Sequence, residues 1–336
     1  MRAVYIIAEM SANHGGSLDR ALEIVHVAKD AGADCIKLQT YTADTITLKA
    51  DTPPFIIEHG LWAGYTLHAL YSKASTPWEW HGRIKAEAES IGIDFLSTPF
   101  DFTAVDFLEK LGVNAYKVAS FEMVDIPLLR YIAQKGKPIF MSTGMGTQEE
   151  IQEAVDTIIA AGNNALTLLK CSSTYPADPA QMNLLTIPDM ASRFRLPVGL
   201  SDHSLGHISA LIAVALGACT IEKHICLSRK IETPDSEFSM EPKEFSDMVE
   251  HIRTAEKALG LALYGPIGDE KNSLYGRRSI FTSSDIKKGE VFSKYNIRVV
   301  RPSLGMHPRE YDNIIGKRAA CDILFATPLT MEMISE

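Results

Sequence analysis

The chain has 336 residues, 46% hydrophobic and 22% charged, with a formal net charge of -9. That length exceeds the roughly 250 residues of a plain (β/α)8 barrel and leaves room for a large core plus one small domain. The acidic balance, with no basic stripe interleaved with aromatics, argues against a nucleic-acid binder and leaves any bound anion to a few local cations.

The run Val4 to Ala8 follows a single Arg2 and leads straight into Glu9, so it lacks the length and cleavage site of a signal peptide and reads as a first strand. Six times thereafter a glycine precedes a short apolar run that ends in reactive residues. These are Gly32-Ala-Asp-Cys-Ile-Lys-Leu-Gln-Thr, Gly92-Ile-Asp-Phe-Leu-Ser-Thr-Pro, Gly112-Val-Asn-Ala-Tyr-Lys-Val-Ala-Ser, Gly136-Lys-Pro-Ile-Phe-Met-Ser-Thr, Gly162-Asn-Asn-Ala-Leu-Thr-Leu-Leu-Lys-Cys-Ser and Gly217-Ala-Cys-Thr-Ile-Glu-Lys-His. Glycine just past a helix supplies a left-handed cap, and an apolar run without alternation is a strand covered on both faces. With Val4 to Glu9 and Pro197 to His203 the repeats give eight strands, enough to close a (β/α)8 TIM barrel over residues 1–260, with its active site at the carboxyl ends of the strands.

Helical period is clearest in Leu18 to Ala31, where Ser17 is the expected N-cap, in Glu149 to Ala161 and in Phe245 to Leu259. Tyr41 to Ser75 breaks the rhythm with a proline- and threonine-rich insertion that carries Phe55, Trp62, Tyr65 and Tyr71. On the strand-end face such an insertion is either a lid or substrate wall, or a packed decorative loop. The longest apolar stretch, Ile208 to Ile221, falls short of the ~20 residues of a membrane span and is broken by Gly217, so no membrane partner is expected. The five cysteines include no C-x-x-C pair, and three fall in expected strands as small buried hydrophobes, which suits a reducing cytoplasm. Residues 261–278 read as a linker. From residue 279 to 336 the pattern changes to short alternating runs (Ile280-Phe-Thr, Val291-Phe, Ile297-Arg-Val-Val), a small β-rich module with a marginal core.

Every strand end offers a polar group. Lys37 and Lys117 interrupt otherwise apolar strands, and a lysine inside a barrel must find an anion or be neutralised. With hydroxyls from Thr98, Ser120, Ser142, Ser173 and Ser201 they make a pocket suited to a phosphate and a carboxylate, unless both are ordinary solvated lysines. Strict alternation sends Lys117 and Ala119 one way, Val118 and Ser120 the other. His203 and His224 end neighbouring strands, so they either converge on a divalent metal or are hydrogen-bonded structural histidines. His207 sits four residues after His203 but lacks the glutamate of a helical zinc motif and is read as incidental. Glu9 and Glu122 are positioned for proton transfer, or only to orient a lysine.

Ile7-Ala-Glu-Met-Ser-Ala-Asn-His-Gly-Gly-Ser, Ile36-Lys-Leu-Gln-Thr, Leu96-Ser-Thr-Pro-Phe, Ala115-Tyr-Lys-Val-Ala-Ser-Phe-Glu, Met141-Ser-Thr-Gly-Met, Gly199-Leu-Ser-Asp-His and Ile221-Glu-Lys-His together resemble the sialic acid synthase family. Ser279 to Ile334 resembles that family's C-terminal antifreeze-like (SAF) domain, so the likeness spans nearly the whole chain. Gly60-Leu-Trp-Ala-Gly and Thr76-Pro-Trp-Glu-Trp are most similar to the branch whose product is pseudaminic acid.

The resemblance implies condensation of phosphoenolpyruvate with an acetamido sugar aldehyde and water, giving a 2-keto acid and phosphate. The implied acceptor is 2,4-diacetamido-2,4,6-trideoxy-L-altrose, with the N-acetylmannosamine or legionaminic acid precursor as the alternative. It implies that Lys37, Lys117, Ser120, Ser142 and Ser201 hold phosphoenolpyruvate, that His203 and His224 hold Mn2+ (Mg2+ or Co2+ as alternatives), and that Glu9 and Glu122 handle protons. Tyr175 and Asp235 would meet the sugar, and Arg301 would reach its N-acetyl group across a domain-swapped homodimer. Two departures from neuraminic acid synthases, Ser173 in place of asparagine and Thr233-Pro-Asp235 in place of Gly-Pro-Asp, lie where the sugar or phosphate is bound. A remote alternative is a non-catalytic carbohydrate- or ice-binding protein, suggested by the C-terminal module alone.

Overall fold

A computed structural model describes residues 3–335 of the chain, which divides into two compact units, Met1–Gly260 and Leu261–Glu336. In the first, β1 (Tyr5–Glu9) leads to α1 (Leu18–Asp30), and β2 (Cys35–Thr40) leads through α2 (Ala43–Ile46) and α3 (Leu67–Ala74) to α4 (Trp78–Ser90). β3 (Asp94–Pro99) is followed by α5 (Phe102–Leu111), β4 (Tyr116–Val118) by α6 (Ile126–Ala133), and β5 (Ile139–Ser142) by α7 (Gln148–Ala160). β6 (Leu166–Cys171), α8 (Thr186–Phe194), β7 (Val198–Asp202), α9 (Ile208–Ala215), β8 (Thr220–His224) and α10 (Pro242–Leu259) complete the unit.

The eight strands pair in parallel in the order β3-β2-β1-β8-β7-β6-β5-β4. β3 and β4, at the two ends of the ladder, lie side by side and leave a nearly closed barrel. All six capping glycines, Gly32, Gly92, Gly112, Gly136, Gly162 and Gly217, have φ between 70° and 96°, the left-handed conformation that ends each helix. Gly199 meets a different demand: a Cβ there would lie 2.4 Å from the Thr220 carbonyl and 2.7 Å from Leu169, so only hydrogen fits between β7 and its neighbours.

Period-two alternation sorts the strand residues into two layers. Ile6, Ala8, Ile36, Leu38, Val118 and Met141 point outward into the main core shared with the helices. Ile7, Cys35 and Leu96, with Tyr5, Ala115 and Phe140 packed against them, form a separate apolar cluster on the inward face. Two residues further along that face come Glu9, Lys37 and Thr98, so the inner cluster is a plug beneath a polar layer. Ser17 caps α1 by accepting from Arg20 N, and Thr147 and Glu150 form a capping box at the start of α7.

The second unit holds α11 (Glu270–Ser273), the antiparallel pair β9 (Ser279–Thr282) and β10 (Ile297–Val300), α12 (Tyr311–Ile314), and the short pair β11 (Arg318–Ala319) and β12 (Ile334–Ser335). Its own core gathers Ile280, Ile286, Phe292, Ile297, Ile314 and Leu329. Val291-Phe, expected as a strand, makes only a single bridge from Val291 to Arg318. The expected linker 261–278 groups with this unit and carries α11.

Candidate active site

The carboxyl ends of the strands surround a small buried cavity of about 50 Å³ lined by Glu9, Lys37, Thr98, Lys117, Ser142 and Glu222, among others. Lys37 Nζ lies 2.7 Å from Glu9 and 3.6 Å from Glu222, and Lys117 Nζ lies 3.8 Å from Glu222. Two amino groups thus face two carboxyl groups in a site almost closed to water, where burial raises Glu9. Gln39 donates to Glu9 over 3.1 Å, Ser201 to Glu222 over 2.8 Å, Lys117 to Ser142 over 2.7 Å and Lys37 to Thr98 over 3.3 Å.

Burial and charge compete at each member of this cluster. Burial disfavours the Lys37 charge, but Glu222 and Glu9 outweigh it and hold the ammonium above its ordinary pKa. Lys117, farther from its carboxylate, is pushed down by burial. Burial would raise Glu222, yet Lys117 and Lys37 together keep it ionised. Glu222 was visible in the sequence as a strand-end residue two positions before His224, but only the fold makes it the counter-ion of both lysines.

Ser120 departs from simple alternation. β4 ends at Val118, so the backbone has left the pleat by Ser120, whose side chain joins Lys117 in the cavity wall and accepts from Gly144 N over 3.0 Å. A Cβ at Gly144 would lie 2.2 Å from Ser173 Oγ and 2.8 Å from Ser120 Oγ. The peptide after β5 is therefore cradled between two hydroxyls, and its N–H is satisfied by Ser120.

His203 and His224 do come together, with ring centroids 5.4 Å apart. His203 Nδ1 binds the Ser172 carbonyl over 3.0 Å, which points its Nε2 away as the ligating atom. His224 Nδ1 is buried with no partner among the described residues. Burial, then the neighbouring His203, drives His224 far below the ordinary imidazole range and keeps it neutral. Burial would depress His203 as well, but Cys171, 3.8 Å away, offsets it and raises the imidazole above its ordinary range. One oriented imidazole and one orphaned neutral imidazole fit a divalent metal. Among the described residues no group of three or more His, Cys, Asp or Glu side chains is placed to hold one, so the fit rests on these two imidazoles.

The Tyr175 ring packs tilted against His203, centroids 4.4 Å apart, and is in turn met at 5.5 Å by the tilted ring of Trp62. The Trp62 indole N–H donates to the Pro234 carbonyl over 2.9 Å. The Tyr41–Ser75 insertion thus reaches the site as a wall rather than a decorative loop. Asp235 accepts from Ala12 N over 3.1 Å, while Asn13, bonded to Ile225 O, Ser239 and Thr233, ties the same loop to the end of β1.

Glu122, Ser173 and Asp235 lie beside the cavity without lining it. Glu122 opens the helical turn after Phe121, has a buried Oε2 without a partner among the described residues, and is raised by burial to about 7. Arg301 belongs to the C-terminal unit, where it shares an open cleft of about 900 Å³ with Arg278, Lys294, Arg298 and Tyr311. Among the described residues no carboxylate of that unit pairs with these four cations. His207, set aside as incidental, meets His251 on the surface at 3.0 Å.

Residues 24–263 match the NeuB family and residues 277–335 the SAF domain. The chain is 46% identical to a pseudaminic acid synthase of Campylobacter jejuni over 98% of its own length and 96% of that protein's. It is 37% identical to an N,N'-diacetyllegionaminic acid synthase of Legionella pneumophila over 98% and 94% of the two chains. The crystal structure of an N-acetylneuraminic acid (sialic acid) synthetase of Leptospira borgpetersenii, 32% identical, superposes with a TM-score of 0.73 over 81% of this chain and 90% of that one.

Proposed function

The chain belongs to the NeuB family, and from that premise we propose that it condenses phosphoenolpyruvate with 2,4-diacetamido-2,4,6-trideoxy-L-altrose and water to give pseudaminic acid and phosphate. The observation that carries this reading is the buried cluster of Lys37, Lys117, Glu9 and Glu222 in the strand-end cavity, with Ser120 and Ser142 in its wall. A protein that only binds carbohydrate has no use for two dry ammonium groups at strand ends, whereas a small, highly charged enol phosphate requires them. The greater identity to the pseudaminic than to the legionaminic relative favours the altrose acceptor.

In this mechanism Lys37 and Lys117 neutralise phosphoenolpyruvate, and the hydroxyls of Ser120, Ser142, Ser173, Ser201 and Thr98 hold its oxygens. His203 and His224 would hold the divalent metal, Mn2+ in first place with Mg2+ or Co2+ as alternatives, which when bound supplies Lewis acidity to the acceptor aldehyde. Tyr175 and Asp235 orient the acceptor, with Trp62 closing over Tyr175 to exclude water. The enol carbon forms a bond to the aldehyde carbon and C2 becomes oxocarbenium-like, a charge that the Glu222 carboxylate would stabilise. Glu122, unpartnered and poised near neutrality, takes the proton of the water that adds to C2. The tetrahedral intermediate then breaks its carbon–oxygen bond to phosphate, its hydroxyl proton leaving with the phosphate as the ketone forms, and the proton held by Glu122 passes to the alkoxide left on the former aldehyde carbon.

We place the enzyme in the cytoplasm, where the five cysteines, all free, would stay reduced; no helix among the described residues is long and apolar enough to cross a membrane. We further propose a domain-swapped homodimer in which each C-terminal unit brings Arg301 to the acceptor bound by the other subunit, a role that suits a cleft of cations without carboxylate partners of its own. The test is phosphate release from phosphoenolpyruvate labelled with 18O at the bridging oxygen. Release should require the acceptor, and the label should leave in phosphate. Label retained in the keto acid, or release without acceptor, would overturn the mechanism.

A further inference from the structure

Behind the two histidines, on the opposite face of the sheet, lies a second charged pair that the mechanism does not use. Lys223 Nζ is 2.7 Å from Asp202 Oδ2, with side chains 1% and 0% exposed. Both residues point outward, among the apolar groups that pack β7 and β8 against the helices, because they alternate with Ser201, His203, Glu222 and His224 on the inward face. A buried ion pair in that layer is expensive to desolvate and is weak evidence for stability on its own. Its position in the sequence gives it another meaning, since Asp202 immediately precedes His203 and Lys223 immediately precedes His224.

The hydrogen bonds close the arrangement. Lys223 Nζ also donates to the carbonyl oxygen of Ser204, the residue immediately after His203. Asp202 Oδ1 in turn accepts from Ser204 N over 2.9 Å and from Ser204 Oγ over 2.7 Å, and Ser204 Oγ bonds Ser209 over 3.1 Å at the start of α9. A single ammonium, carried by the residue next to one histidine, therefore holds both residues that flank the other. The backbone that carries His203 has little freedom to rotate or slide relative to β8.

We propose that Lys223 and Asp202 are a positioning pair: they fix the separation and aim of His203 and His224 from outside the barrel and so preorganise the two-nitrogen metal site. This inference rests on the metal reading given above. Two imidazoles bind an ion tightly only if their spacing is set before it arrives, and supporting contacts of this kind tune affinity without touching the metal. Lys37 and Lys117, which hold the phosphate, lie on the inward face and make no hydrogen bond or ion pair with this pair, so their affinity should be insensitive to it.

The test measures Mn2+ binding to full-length, chelator-stripped protein by calorimetry, alongside phosphoenolpyruvate binding to the same metal-free samples. Lys223→Met should raise the Mn2+ Kd at least tenfold while phosphoenolpyruvate affinity stays within twofold of wild type. Because that variant leaves Asp202 buried without its cation, Asp202→Asn/Lys223→Met supplies a charge-balanced comparison, and it should fold and still bind Mn2+ at least tenfold more weakly. Wild-type Mn2+ affinity in the double variant would overturn the proposal, as would its failure to fold, which would make the pair merely structural. Mn2+ binding by wild type that is no tighter than by His203→Ala would instead sink the metal reading itself.

Discussion

Substituting Gly144 by alanine should cost the enzyme phosphoenolpyruvate affinity and little else. The added methyl would sit 2.2 Å from Ser173 Oγ and 2.8 Å from Ser120 Oγ, where ordinary contact begins near 3.4 Å. The two hydroxyls must retreat by about 1 Å and about half an ångström, and the Ser120 bond to the Gly144 amide is lost or lengthened. The φ of Gly144 lies outside the left-handed region, so the substitution tests space rather than backbone strain. A hydrogen bond to a charged group contributes about 1.5–3 kcal/mol, so moving one of these hydroxyls off the phosphate should raise the KM for phosphoenolpyruvate roughly tenfold to a hundredfold. The assay is phosphate release against phosphoenolpyruvate concentration at saturating acceptor, with the acceptor KM as the internal control. Ser173→Ala removes the closest atom, so Gly144→Ala/Ser173→Ala should fall short of additivity. An unchanged KM for phosphoenolpyruvate, or an equal rise in both Michaelis constants, would refute the cradle.

Lys37→Met and Lys117→Met should each weaken phosphoenolpyruvate binding more than about tenfold. Lys37→Met should also destabilise the fold by about 3–5 kcal/mol in denaturant melts, because it strands Glu9. Glu122 should give kcat/KM a limb near pH 7, with activity falling on the acid side as the carboxylate is protonated, and Glu122→Gln should be nearly inactive and lack that limb. Because burial raises the folded-state pKa of Glu122, its ionisation works against the fold above the unfolded-state value. Glu122→Gln should therefore melt higher than wild type at pH 8 and equally near pH 4. If the C-terminal units are swapped, Arg301→Ala and Glu122→Gln should each be inactive alone and recover about one quarter of wild-type activity when co-expressed equally, since about half the dimers are mixed and each has one intact site. Mixed dimers shown to form yet no more active than the parents would refute the swap.

The barrel was legible because its punctuation is local. A glycine that must adopt positive φ and an apolar run covered on both faces are visible in any ten-residue window, and all six such windows proved to be helix ends followed by strands. The convergence of His203 and His224 was legible for a related reason, since consecutive strands of a barrel are neighbours. What the sequence hid depends on register and on where a strand stops. Ser120 faces the cavity only because β4 ends at Val118, and no alternation rule marks that end. Glu222 balances Lys37 and Lys117 from across the barrel, a contact between residues more than a hundred positions apart. Cys171 looked like a small hydrophobe but lies against His203, where the imidazole outweighs the effect of burial and brings the thiol down to about 7. The pairing of Lys223 with Asp202 behind the sheet likewise joins residues of two different strands, which no local pattern marks.

The measurement that bears most directly on the account is the ratio of kcat/KM values for phosphate release with three acceptors: 2,4-diacetamido-2,4,6-trideoxy-L-altrose, N-acetylmannosamine and the legionaminic acid precursor. A site built to bind a particular set of acetamido and hydroxyl groups leaves its own polar atoms unpaired with the wrong sugar, which costs roughly two orders of magnitude or more. The altrose derivative should therefore lead by roughly a hundredfold or more, with pseudaminic acid as the product. Equal or greater kcat/KM with either of the other two sugars would contradict the assignment, even if phosphate is released.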